Sequence, residues 1–358
     1  MVRRVNDGFN TFAAAAISSL SVLFLEKPTK GESSVKTLGL YLFSRVAQCV
    51  FNSLYNKNGP WKIPGTGWEL SYTLLFVLSV TEIMYAYVMR PDCLPSSYFK
   101  FIADLSPIQR HVVEATRKSV RGMSVDNEAL NQFVRKFSPL SGNPLSSPLV
   151  ASVPCSVLHP QSSNCVVQQK FTFFKCFKQV FPIYLSVTFL PMFLTRLTAV
   201  FKRPFLLLKG LLACIRSSAF IASLTSLYMA VVCLSKRTLS TDSKYVYYVA
   251  AFVSSWSILL EKADKHQEFA LYAFSRALDV VYNHLIQKGL PLALPQGEIL
   301  LFCFSMGMLM YFREFERSSV SNYLNATFDF ILGKPKSQHI ARQKEHPQNE
   351  QTVYPNKL

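Results

Sequence analysis

Long apolar runs alternate along this chain with short polar or basic breaks. The runs fall at roughly 9–25, 38–55, 68–89, 171–200, 205–234, 245–260, 266–286 and 298–312. Their lengths and continuity predict helices, most of them close to the ~20 residues needed to cross a bilayer. Two runs carry a polar stripe. In HQEFALYAFSRALDVVYNHLI, Glu268, Tyr272, Ser275, Arg276, Asp279 and Asn283 recur at helical spacing. In LGLYLFSRVAQCVFNSLY, Tyr41, Ser44, Arg45, Gln48 and Asn52 fall at the same steps. Both contain LYxFSR, so one helix type is built twice.

The repeat extends to its neighbours. Ala250, Ala251, Ser254 and Ser255 match Ala14, Ala15, Ser18 and Ser19, and Leu260-Glu261-Lys262 matches Leu25-Glu26-Lys27. The spacing is about 231–236 residues over roughly 80 residues. Small residues one turn apart let helices approach closely in lipid, so Ala14, Ser18, Ala250 and Ser254 are expected at helix contacts. The expected fold is all-α: a polytopic helical membrane protein with an internal repeat of small-residue and Arg-bearing helices. Its divisions are a partial first membrane repeat (1–102), a basic surface segment and Ser/Pro-rich linker (103–165), a full second repeat (166–333) and a disordered polar tail (334–358). Pro182 and Pro191 are expected to kink their helix. The two helices at 171–200 and 205–234 have no counterpart in the first repeat, which fits either a shortened protein or an incomplete start. If all five apolar segments of a full repeat span, the two Arg helices are inverted; if one lies in the interface, they are parallel.

Composition agrees with a membrane setting. The 358 residues are 50% hydrophobic and 16% charged, with 29 Phe, against about 25% charge in ordinary soluble domains. The net charge of +17 sits between apolar runs, where Lys and Arg hold helices against anionic headgroups, and no nucleic-acid pattern accompanies it. The eight cysteines form no CxxC pair and imply no disulfide framework. Cys155, His159 and Cys165, spaced C-x3-H-x5-C, match no common zinc site, so neither a metal nor a cofactor is expected. Walker A, HExxH, GxSxG, GxGxxG and HxxxxD patterns are missing, so no enzyme activity is expected.

An arginine at the middle of a membrane helix costs about 2.5–3.5 kcal/mol on insertion scales. It needs water, a carboxylate or a lipid phosphate. Arg45, Gln48, Arg276, Asp279, Glu69, Glu298 and Glu261 are therefore the candidates for a polar groove admitting lipid headgroups or a polypeptide. The competing reading is a buried ion pair that fixes helix packing.

Three stretches, SSAFIASLTSLYMAVVCL (217–234), SILLEKADKHQEFALYAFSRALDVVYN (257–283) and GEILLFCFSMGMLMYF (297–312), resemble the transmembrane protein 135 family, also described as a 52-kDa peroxisomal membrane protein. PCSVLHPQSSNC (154–165) resembles that family's Cys-rich motif. More distantly, the small-residue helix followed by LYxFSR is similar to the mitochondrial inner-membrane translocase channel superfamily. The resemblance implies a multi-pass protein of the peroxisomal membrane, the mitochondrial membrane or both. It further implies a non-enzymatic role in organelle organisation and dynamics, including mitochondrial fission, coupled to lipid handling. The alternative is a translocase-like or channel-like pore for lipid or polypeptide. Expected partners are membrane lipids, organelle-division or peroxisome-biogenesis proteins, and a second copy of the chain; nucleic acid is not expected.

Overall fold

The computed structural model describes residues 8–21, 34–56, 70–137, 152–162, 164–202, 205–239, 242–290 and 296–333. Among these, the secondary structure is entirely helical, as the apolar periodicity predicts. The chain divides into two compact units, residues 1–66 with 294–358, and residues 67–293.

The discontinuous unit contains α1 (Gly8–Ser19), α2 (Ser34–Asn56), α12 (Gly297–Phe315) and α13 (Asn322–Leu332). Here α12 packs against both α1 and α2. A glycine makes the approach of α1 feasible: a Cβ on Gly307 would sit 2.7 Å from the Phe12 ring, whereas one on Gly39 would lie at an ordinary 3.5 Å from the Glu298 carbonyl oxygen. Val46, Cys49, Leu309, Phe312, Leu324 and Phe328 form a buried cluster. Ser321 caps α13 by accepting from the Leu324 amide.

The continuous unit begins with α3 (Ser71–Met89), followed by three short amphipathic helices, α4 (Ser96–Leu105), α5 (Arg110–Val120) and α6 (Asn127–Phe137). A helical turn, α7 (Cys155–Leu158), precedes the long α8 (Cys165–Lys202) and α9 (Phe205–Thr238). Then come α10 (Lys244–Ser255), a 3₁₀ turn (Trp256–Leu260) and α11 (Ala263–Gln287). Helix α8 runs through both Pro182 and Pro191 without interruption. The end of the Ser/Pro-rich segment is well packed, with Val153 and Val157 fully buried. The core gathers apolar residues of α3, α9, α10 and α11, with Phe220 at its centre between Phe76 and Phe269 at ring distances of 5.7 and 5.4 Å.

The two units are built alike, but the third helices of the repeats are exchanged. The first-repeat helices α1 and α2 pack on α12 from the second repeat, while α10 and α11 pack on α3 from the first. The equivalence continues through a corner with little sequence likeness. Helix α3 ends at Arg90 (φ −139°, ψ 56°) and α12 at Glu316 (φ −137°, ψ 54°). Each is followed by a 3₁₀ turn, Pro91–Cys93 or Arg317–Ser319, and then by an extended residue, Leu94 or Val320. A short helix follows in both, α4 or α13.

Among the described residues, two helices, α3 and α9, are long and apolar enough to cross a membrane. The expected all-α class is met among the described residues, while length and hydropathy mark only these two described helices as able to span. Among the rest, α1 and α10 have 12 residues each, about 18 Å of helix at 1.5 Å per residue.

Candidate functional site

The polar stripes adopt the same local geometry in both units. Ser44 Oγ donates to the Tyr41 carbonyl at 2.7 Å, and Ser275 Oγ to the Tyr272 carbonyl at 2.8 Å. Asn52 Nδ2 donates to the Ser319 carbonyl at 3.0 Å, and Asn283 Nδ2 to the Cys93 carbonyl at 2.9 Å. Each Asn therefore fastens its Arg-bearing helix to the corner that closes the exchanged helix. This part of the stripe is a packing device.

The arginines differ. Arg45 is 1% exposed. Its Nε and Nη2 donate to Tyr41 Oη at 3.1 and 2.8 Å, and Nη1 donates to Gln48 Oε1 at 3.3 Å. Gln48 is also buried. These contacts give Arg45 partners on its own helix, through residues one turn away on either side. Arg276 is half-buried and lies over the rings of Tyr98 and Tyr272, 5.2 and 5.5 Å from their centroids. Asp279 is buried and accepts from Asn283 Nδ2 at 3.4 Å.

Tyr98 and Tyr272 also line a cleft of about 280 Å³ in the continuous unit. Its other walls are apolar faces of α3 (Phe76, Val80, Met84), α4 (Ile102) and α9 (Phe220, Leu224). The volume lies near the lower end of the ~300–1,000 Å³ usual for small-molecule sites. A guanidinium held over two tyrosines that form part of an apolar wall suits an amphiphile with an anionic head. Cation–π contacts of this kind contribute about 0.5–2 kcal/mol and keep the guanidinium oriented.

No protein-family model matches this chain, and no solved structure matches it.

The remaining sequence candidates fall elsewhere. Glu261 is 2% exposed and joins the start of α11 to α9. It accepts from Ser217 Oγ and from the Lys262 amide, and pairs with Lys265 Nζ at 3.5 Å. Glu298 is half-buried in the first turn of α12, where a carboxylate suits the helix N-terminus. Glu69 lies outside the described residues. Ala250 and Ser254 are fully buried, as close packing requires, whereas Ala14 and Ser18 are exposed. Helix α1 instead meets α12 through Phe12, which covers Gly307 and touches Phe304. Asn325, within the sequon-like Asn-Ala-Thr, donates Nδ2 to the carbonyls of Arg317 and Val320 at 3.1 Å each.

Spacing alone missed a second constellation. Cys155, His159 and Cys165 meet Cys233 of α9, with the Sγ atoms and one imidazole nitrogen all within 4.8 Å of one another. His159 Nε2 lies 3.2 Å from Cys165 Sγ, and its Nδ1 lies 2.9 Å from the Ser162 carbonyl oxygen. Hydrogen bonds from Cys233 and His159 pull the Cys155 thiol down to about 4, and the bond to Cys155 pushes the His159 imidazole up to about 9. Cys233 reads in the sequence as a small residue in an apolar helix, and only the fold brings it to the other three.

Proposed function

We propose that this protein is a non-enzymatic, multi-pass organelle membrane protein that holds an anionic lipid, with its tail in the apolar cleft and its head at Arg276. The observation that carries this reading is the joining of the two chemistries: Tyr98 and Tyr272 both line the cleft and underlie the guanidinium. The lipid setting is supported by outward-facing apolar side chains on the long helices. Phe171, Phe174, Val187 and Leu190 of α8 are exposed, as are Phe205 and Leu212 of α9 and Val249 of α10. A surface this apolar suits an acyl-chain environment better than water. The resemblance to the transmembrane protein 135 family supports a peroxisomal or mitochondrial membrane and a role in organelle organisation and dynamics.

The test is photolabelling of the full-length protein in liposomes with a diazirine fatty acid, followed by peptide mapping. Label is expected on α3, α4, α9 and α11. Met84→Trp, which fills the cleft, is expected to lower it several-fold while the protein still melts cooperatively. Label spread evenly over outward-facing helices, or unaffected by Met84→Trp, would refute the assignment. Ion conductance across the same liposomes would favour the channel-like alternative. Microscopy of the tagged protein checks the compartment, and plasma-membrane staining would sink the organelle reading.

A further inference from the structure

We infer that Cys155, His159, Cys165 and Cys233 form a structural zinc site that clips the start of α8 to the end of α9. The four come from three places. Cys155 opens α7, His159 follows it, Cys165 is the first residue of α8, and Cys233 lies near the end of α9. Their ligand atoms all fall within 4.8 Å. In a tetrahedral site with Zn–S of about 2.3 Å, sulfur atoms stand about 3.8 Å apart, so contraction by about 1 Å or less brings the set to coordination distance.

The surroundings fit the same purpose. The Nδ1 of His159 faces the Ser162 carbonyl at 2.9 Å. An N–H donated there fixes the tautomer that turns the Nε2 lone pair towards the sulfurs, the usual outer contact of a metal-binding histidine. The loop carrying these residues is braced: Ser162 Oγ donates to the Asn164 carbonyl, and Asn164 Oδ1 accepts from the Val166 amide. Gln169 Nε2 donates to Cys233 Sγ at 3.8 Å. Beyond Cys233, Lys236 and Asp242 form an ion pair at 2.6 Å with side chains 1% and 3% exposed. Asp242 also accepts from the Val153 amide at 3.2 Å, which anchors the chain just before Cys155.

Three thiolates and one neutral imidazole around Zn²⁺ leave a net charge of −1, beside the Lys236–Asp242 ion pair one turn along α9. Binding releases the protons held by the thiols and the imidazole to solvent and involves no electron transfer. A soft S₃N donor set selects zinc over oxygen-seeking cations, and four protein ligands close the coordination sphere, so the site is structural.

The test uses the full-length protein purified in detergent under reducing conditions. Elemental analysis is expected to give one zinc per chain, and Co²⁺ substitution the absorption of a tetrahedral thiolate site. Cys165→Ser and Cys233→Ser are expected to abolish both, while Cys214→Ser, a buried cysteine outside the cluster, retains them. Gln169→Leu is expected to weaken zinc about 10–100-fold. If the ligand variants do not fold, mercurial titration of the wild-type thiols must still release one zinc to a chromogenic chelator. Protein without zinc after reconstitution, or a Cys155–Cys233 disulfide found by peptide mass mapping, would overturn the assignment.

Discussion

Replacing Asn283 by Ala tests the exchanged packing of the repeats at one atom pair. The side chain donates to the Cys93 carbonyl at 2.9 Å and to Asp279 Oδ1 at 3.4 Å. Cys93 is 0% exposed, so its carbonyl has little access to water once the donor is gone. A buried acceptor left without its partner costs about 1–3 kcal/mol. Gln287 Nε2 still reaches the Asp92 carbonyl at 3.2 Å and keeps the corner near α11, so the loss is expected in the lower half of that range. At roughly 2–4 °C per kcal/mol for a unit of this size, Asn283→Ala should lower the melting temperature by about 2–8 °C in a circular-dichroism melt of the detergent-purified protein. Asn52→Ala should cause a similar loss in the other unit, because it removes the same bond to the Ser319 carbonyl. Asn283→Asp should be worse than Ala, since it sets a carboxylate against a carbonyl oxygen and the Asp279 carboxyl. Melting curves indistinguishable from wild type for both Ala variants would refute the claim that these two residues close the corners.

Gly307→Ala should destabilise by about 1–3 kcal/mol, since its Cβ would meet the Phe12 ring at 2.7 Å and the Phe12 carbonyl oxygen at 3.0 Å. Gly39→Ala should be neutral or gain up to about 1 kcal/mol in the same melt, because its nearest contacts are an ordinary 3.5 Å and helix propensity improves. Arg45→Leu should reduce the yield of folded protein by removing the buried partner of Tyr41 and Gln48, whereas Arg276→Leu should fold and lose most fatty-acid labelling. Size-exclusion profiles and photolabelling separate these two outcomes. The hydrogen bond from Arg317 holds the Asp329 carboxyl below the usual carboxylate range. That contribution is present at neutral pH and is lost as acidification passes below the unfolded value of about 3.9, so limited proteolysis should cut α13 faster at pH 3 than at pH 6.

Much of the local structure was legible. The stripe spacing that pairs Tyr41 with Arg45 and Tyr272 with Arg276 places each guanidinium near its tyrosine ring, 5.0 and 5.5 Å away. Helical periodicity also set Ser44 and Ser275 on matching backbone carbonyls. The exchange of α3 and α12 was not legible, because two similar third helices can each satisfy either partner and adjacency in sequence favours the wrong one. The corners after them were missed for another reason. RPDC and ERSS share no chemistry, and their likeness lies in φ and ψ. The exposure of Ala14 and Ser18 shows that a small-residue stripe permits close packing without requiring it.

The cleft and the cysteine cluster are mechanically related through α9. Leu224, Thr225, Tyr228 and Met229 line the cleft, and Cys233 lies one turn beyond Met229 on the same helix. A metal joining Cys233 to Cys155, His159 and Cys165 would fix the axial position of that wall against α8. Helix α9 has another restraint near its middle, where Ser217 meets Glu261 and Arg216 Nε donates to the Leu260 carbonyl. Held at both places, the segment between them cannot slide without breaking buried polar contacts. Removing zinc should therefore alter lipid labelling even though no ligand residue lines the cleft. A chelator-treated protein that loses zinc but labels Leu224 and Tyr228 as strongly as before would show that the restraint at Ser217 and Glu261 suffices to hold the wall.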